Sequence, residues 1–112
     1  MIRMDKTDAR VTLVAPQFDE LTAATAPVFA QSVLDLIESG HSRLVIDLAR
    51  VDKVDSTGIG ALVGLLKRIG FRGEMVLCGM SDAVARLFRL TRMDKVFPIH
   101  ADAAGAMRAL AA

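Results

Sequence analysis

Short apolar runs alternate along this chain with longer stretches in which apolar residues recur every three or four positions. Arg10–Ala15 reads as a strand, with Val11, Leu13 and Ala15 on one face, and an earlier piece around Ile2 and Met4 pairs with it as a hairpin through Thr7-Asp8. Pro16 ends that strand. Phe29, Val33, Leu36 and Ile37 have helical spacing within a helix from about Ala24 to Glu38, and Gly40 suits its C-terminal cap. Leu44-Val45-Ile46-Asp47-Leu48 is too brief for a helix and too apolar for a sheet surface, so it predicts a central strand buried on both faces.

Ile59, Leu62, Val63, Leu66 and Ile69 form a second helical stripe, which begins just after Asp55-Ser56-Thr57-Gly58. Met75–Cys78 is another buried strand between Gly73 and Gly79. Ser81-Asp82 cap a third helix with Val84, Leu87, Phe88 and Thr91 inward. Val96–Ile99 adds an edge strand, since Pro98 lacks the donor a central strand needs. Asp102 opens a last helix, with Ala103, Ala106, Met107 and Leu110 inward. Strands alternating with crossover helices imply parallel neighbours. The expected fold class is α/β: a small sandwich of a mixed, mostly parallel β-sheet and about four helices.

Length and composition narrow the function. The 112 residues suit one domain, 1–112, and 53% hydrophobic residues suffice for a core. A formal charge of +1 gives no field to gather nucleic acid or anionic membrane, and 4% aromatic residues, with no Trp or Tyr, offer no stacking platform for single strands. The N-terminus shows no targeting segment, and the longest apolar stretch, Gly58–Leu66, is about half of the ~20 residues a membrane span needs. Direct nucleic-acid binding and membrane insertion are therefore not expected. The lone Cys78 makes neither an intramolecular disulfide nor a cysteine-rich zinc site and fits a reducing cytoplasm.

The chemistry concentrates in Val51–Gly60. Ser56 and Thr57 lie between a strand region and a helix start, where unpaired backbone N–H groups face outward. A phosphate on Ser56 would add about −1.5 to −2 charges and three acceptor oxygens, changing the surface seen by a partner fitted to Asp55 and Ser56. Gly58 and Gly60 would leave the first helical turn uncovered for another backbone. The plainer reading of the same pattern is that the Ser-Thr pair caps the helix.

Leu44–Leu48 followed by Val54-Asp55-Ser56-Thr57-Gly58-Ile59-Gly60 resembles the STAS domain, found in sulfate-transporter tails and bacterial anti-sigma factor antagonists. Met75–Met80, Leu87–Met93 and Val96-Phe97-Pro98 match the family's later blocks in order, so the resemblance spans about Val11 to Leu110. In the antagonist branch it implies that Ser56 is phosphorylated by an anti-sigma factor that is itself a serine kinase with a histidine-kinase-like ATPase fold. Unphosphorylated antagonist binds that kinase, phosphorylated antagonist does not, and a PP2C-type phosphatase restores it. Thr57 is the secondary acceptor. The docking surface implied comprises Asp19, Asp55, Ser56, Thr57, Gly58, Ile59 and Gly60, flanked by Met80. Pro16-Gln17-Phe18-Asp19 departs from the family's usual glycine before a Leu-Asp pair, so the Asp19 loop has two downstream registers, at Thr22-Ala23 and Thr25-Ala26.

Other chemistries find little support. Asp47, Asp52 and Asp55 invite a metal or phosphoaspartate reading, but the acidic pair and lysine of a receiver are missing, and no metal or cofactor is expected. Gly58-x-Gly60-x-x-x-Gly64 misses the dinucleotide fingerprint, and no phosphate-cradling Gly-Lys-Ser/Thr loop exists. Ser56 lacks a nucleophile elbow, and neither His41 nor His100 is marked as its base, so no catalytic residue is assigned and no enzyme is expected. Cys78 is an inert core thiol, and Arg86, Arg89 and Arg92 form a solvated helix face. The competing reading is a STAS subunit of an ABC-type membrane transport system, docking on its ATPase without a phosphorylation cycle. A ligand sensor and a homodimer through the exposed helix after Ser56 also stay open.

Overall fold

The structure, a computed structural model, describes residues 2–6 and 11–111. The proposed hairpin turn at Thr7-Asp8 lies outside the described residues. The strands it would join are paired: β1 (Ile2–Lys6) runs antiparallel to β2 (Val11–Pro16). Then β4 (Arg43–Asp47), β6 (Glu74–Cys78) and β7 (Ile99–His100) extend the sheet in parallel, in the order β1-β2-β4-β6-β7. The helices are α1 (Ala26–Glu38), α2 (Ser56–Ile69), α3 (Asp82–Leu90) and α4 (Ala103–Ala111).

The pleat sends successive residues of the central strands to opposite faces. Val14, Leu44, Ile46, Met75 and Leu77 join Phe29, Val33, Leu62, Val84 and Phe88 in a core beneath α1, α2 and α3. Val11, Val45, Val76 and Cys78 meet Ala106 and Leu110 of α4 in a smaller one. Both faces of β4 are buried, as its apolar run predicts. Val11 and Leu13 share the face covered by α4, as expected for β2, while Val14 on the opposite face enters the main core, so this strand too is covered on both sides.

Element boundaries differ from the expected ones where local bonding outweighs apolar spacing. Helix α1 begins at Ala26 rather than Ala24: the Thr25 and Ala26 N–H groups both donate to the Thr22 carbonyl, making a turn before Pro27 enters the first helical turn. At the other end, Gly40 adopts φ +102°, and the Gly40 and His41 N–H groups close on the Ile37 and Leu36 carbonyls. Leu65 is buried on α2, whereas Leu66 is half-buried, and Thr91 is exposed, its hydroxyl donating to the Leu87 carbonyl at 2.8 Å. The last strand is confined to Ile99–His100, because a 3-10 turn at Met93–Lys95 leads instead to a buried Phe97.

Two elements escaped sequence reading altogether. β3 (Glu20–Leu21) and β5 (Lys53–Val54) pair in parallel as a separate sheet of two-residue strands. This sheet joins the loop after β2 to the start of α2.

Candidate functional site

The site grows from β3 and β5. Leu21 pairs with Val54, the Asp52 N–H donates to the Asp19 carbonyl at 2.6 Å, and the Asp55 N–H donates to the Leu21 carbonyl at 3.3 Å. Phe18 anchors the loop from inside, edge-on to Phe29 of α1 with centroids 6.4 Å apart. Asp19 is consequently exposed on a segment held against the entry to α2.

Asp55, rather than Ser56 or Thr57, is the N-cap of α2. Its backbone is extended (φ −111°, ψ −175°), and its Oδ1 accepts from the Gly58 N–H at 2.9 Å. Its Oδ2 accepts from the Ala23 N–H at 3.2 Å, so one carboxylate clasps the helix start and the loop 32 residues earlier. The Gly58 N–H is the largest influence holding the Asp55 carboxyl below its ordinary 3.8; partial desolvation opposes it, and the Ala23 N–H reinforces it.

This clasp overturns the capping account of the Ser-Thr pair. Ser56 and Thr57 are the first two residues of α2, both exposed, and among the described residues neither hydroxyl has a hydrogen-bond partner. The clasp also limits the donors at the helix start, because the Gly58 N–H is already committed to Asp55.

The two glycines separate. A Cβ on Gly58 would lie 2.1 Å from the Leu21 carbonyl oxygen, so this glycine is required by a close backbone approach within the chain. The expectation that Gly58 leaves an open first turn is therefore incorrect. Gly60 is exposed with open space around it. Ile59 is half-buried against the main core, as is Met80, which follows the carboxyl end of β6 on the way into α3. Thus Asp19, Asp55, Ser56 and Thr57 are joined through the small sheet and clasp, while Gly58 is structural and Met80 is in part a core residue.

Groups outside this region have local explanations. Cys78 is buried, and burial, with Asp47 and Asp102 nearby, pushes its thiol up to about 12. His41 meets the buried Thr12 hydroxyl through Nδ1 at 2.8 Å. Asp47 Oδ1 accepts from the Ala49 N–H at 3.0 Å, and no His/Cys/Asp/Glu cluster among the described residues could hold a metal ion. Among them, too, no helix is long and apolar enough to cross a membrane.

Sequence reading found Ser56 and Asp55 but missed Ala23 and Leu21. An aspartate three positions before Gly58 is a readable N-cap signal. Nothing local marks Ala23 as its second donor, because that contact depends on the β3–β5 pairing.

Comparisons with known proteins bear on the family and the fold. An anti-sigma-B factor antagonist of Listeria monocytogenes is 37% identical over 81 residues, covering 71% of each chain. The structure of an anti-sigma-factor antagonist (STAS) domain protein from Planctomyces limnophilus superposes with a TM-score of 0.84 at 28% identity, covering 97% of this chain and 96% of that one. An anti-sigma factor antagonist from Mycobacterium paratuberculosis superposes with a TM-score of 0.88 at 25% identity, covering 98% and 92%. The family model of the STAS domain matches residues 3–106, and the chain belongs to that family.

Proposed function

We propose that this protein is an anti-sigma factor antagonist that works by partner switching in the cytoplasm. It binds a kinase-type anti-sigma factor through the surface around Ser56, loses that affinity when Ser56 is phosphorylated, and regains it through a PP2C-type phosphatase. It performs no catalysis of its own. The observation that carries this reading is the Ser56 hydroxyl, exposed and unbonded at the first position of α2 beside a carboxylate already engaged by two backbone donors.

The physical consequence of phosphorylation falls on the surface. The dianion would stand next to Asp55, whose hold on Gly58 and Ala23 keeps that carboxylate ionised and in place. A partner packed on Ser56 would have to desolvate both anions or withdraw. Because the Ser56 hydroxyl makes no hydrogen bond within the fold, its modification alters docking rather than the fold.

The test is incubation with ATP and a cognate kinase of the histidine-kinase-like ATPase class, read by intact mass. Wild type gains one phosphate, and Ser56→Ala gains none while still binding the kinase. A phosphate that appears equally on Ser56→Ala, or kinase affinity unchanged by phosphorylation, refutes the proposal.

A further inference from the structure

The surface formed by α3 and the turn after it carries positive charge that nothing in the chain answers. Arg86, Arg89, Arg92 and Lys95 recur at every third position and are all exposed. Among the described residues none of the four has an ion-pair or side-chain hydrogen-bond partner. Of the other arginines in residues 11–111, Arg43, Arg50, Arg68 and Arg72 each donate to a group within the chain, and only Arg108 does not. Two acids stand close by in sequence. Asp82 precedes Arg86 by four positions, the spacing of a helical pair, yet stays unpaired, and Asp94 has its Oδ1 buried and reaches no cation.

A solvated helix face does not account for this arrangement. Arg92 lies beyond α3 rather than on it, in a left-handed conformation (φ +63°) that glycine would adopt without a Cβ penalty. The α3 macrodipole favours cations in its last turn, which covers Arg89, but the effect has faded at Arg86. Leu90 is 71% exposed, one helical turn past Arg86, on a helix that buries Val84 and Phe88 against the core. Val96, after the turn, is exposed as well.

Guanidinium groups match carboxylates and phosphates alike, because each presents paired donors. Leu90 separates the two, since a phosphate backbone brings no aliphatic surface to cover it. Phe88 and Phe97 are buried, so neither ring can stack a base. An anionic membrane would need an apolar helix face free to insert, and that of α3 is committed to the core through Val84 and Phe88. We propose that this surface docks an acidic polypeptide segment with aliphatic side chains among its carboxylates. The carboxylates pair with Arg86, Arg89, Arg92 and Lys95 while an aliphatic group covers Leu90. The surface uses no residue of the Asp55 clasp, and its occupancy does not depend on phosphorylation of Ser56.

The experiment uses the whole chain with neither kinase nor ATP. The probe is a dye-labelled synthetic peptide of about 16 residues, glutamate with leucine at every fourth position, titrated by anisotropy with up to about 1 mM protein. Wild type should bind it, with affinity falling about tenfold between about 50 and 300 mM salt. The double variant Arg86→Gln/Arg89→Gln should bind about tenfold more weakly, and Leu90→Ser about threefold, each with the far-ultraviolet dichroism of wild type. Arg108→Gln removes a cation equally free of partners and should bind like wild type. Amide resonances of residues 86–96 in wild type should shift on titration, a readout that needs no variant. No binding, an equal loss in Arg108→Gln, or shifts confined to other segments overturns the proposal. Equal binding of a peptide with glutamine in place of glutamate also overturns it, as does tighter binding of duplex DNA or phosphatidylserine vesicles that the double variant abolishes.

Discussion

Replacing Gly58 by alanine separates the close-approach account of this glycine from simple helix propensity, because the two predict opposite signs. Alanine is the better helix former by about 0.8–1.0 kcal/mol in a helix interior. If propensity decided, Gly58→Ala would stabilise the protein. The added Cβ, however, would lie 2.1 Å from the Leu21 carbonyl oxygen, 2.9 Å from the Leu21 carbonyl carbon and 3.1 Å from Val54 Cγ1, against 3.4 Å for ordinary contact. The first two of these atoms are backbone, held by the pairing of Leu21 with Val54 and by the bond from the Asp55 N–H. Relief requires the loop or the helix start to move by about an ångström, and overpacking of this kind typically costs about 1–3 kcal/mol. The net expectation is a loss of about 1–2 kcal/mol, or a urea midpoint lowered by about 1 M for a chain this size. Gly64→Ala, in the same helix with open space at its Cβ, provides the control and should gain up to about 1 kcal/mol. Urea unfolding followed by far-ultraviolet dichroism reads both variants. A Gly58→Ala protein as stable as wild type, with Gly64→Ala shifted upward, would refute the reasoning.

Three further outcomes are expected. Ser56→Ala should retain kinase affinity, whereas Ser56→Asp should weaken it; calorimetric titration checks both, and a hundredfold loss on phosphorylation corresponds to about 2.7 kcal/mol. Asp55 has its folded pKa lowered below 3.8 by the Gly58 N–H, so its contribution to stability is present above that value and is lost as pH falls through the folded pKa. Asp55→Asn should therefore lose less stability than wild type on acidification below about pH 4, measured as thermal midpoints against pH. Cys78, with its thiol raised to about 12 and its side chain in the smaller core, should resist an aromatic disulfide reagent at pH 8 and react only as the protein unfolds.

The alternation of elements was legible because each core strand is a compact apolar run and each helix carries its own stripe. Leu44–Leu48 announced a strand buried on both faces, and Ser81 and Asp102 announced helix starts. What escaped was set by contacts distant in sequence. Glu20–Leu21 and Lys53–Val54 are too short to show a period, and only their pairing with each other makes them strands. The same pairing decides Gly58, which looks like an open glycine until Leu21 is brought against it. Ser56 was found for its hydroxyl, but its freedom from capping follows from Asp55 taking that task, with Ala23 as a second donor that no local pattern marks. Phe71 gave no signal either, and its complete exposure follows only from the path of the turn Gly70–Arg72.

The two-residue sheet gives the Ser56 neighbourhood a mechanical property. Because Leu21, Val54, Asp55 and Ala23 are bonded in one closed circuit, a pull on the front of α2 is borne at once by the segment bearing Asp19 and by the approach to α1. Amide hydrogens around this circuit should exchange with solvent together, as a single opening unit. A protein that seizes the exposed serine thus also grips a lever reaching into the neighbouring helix.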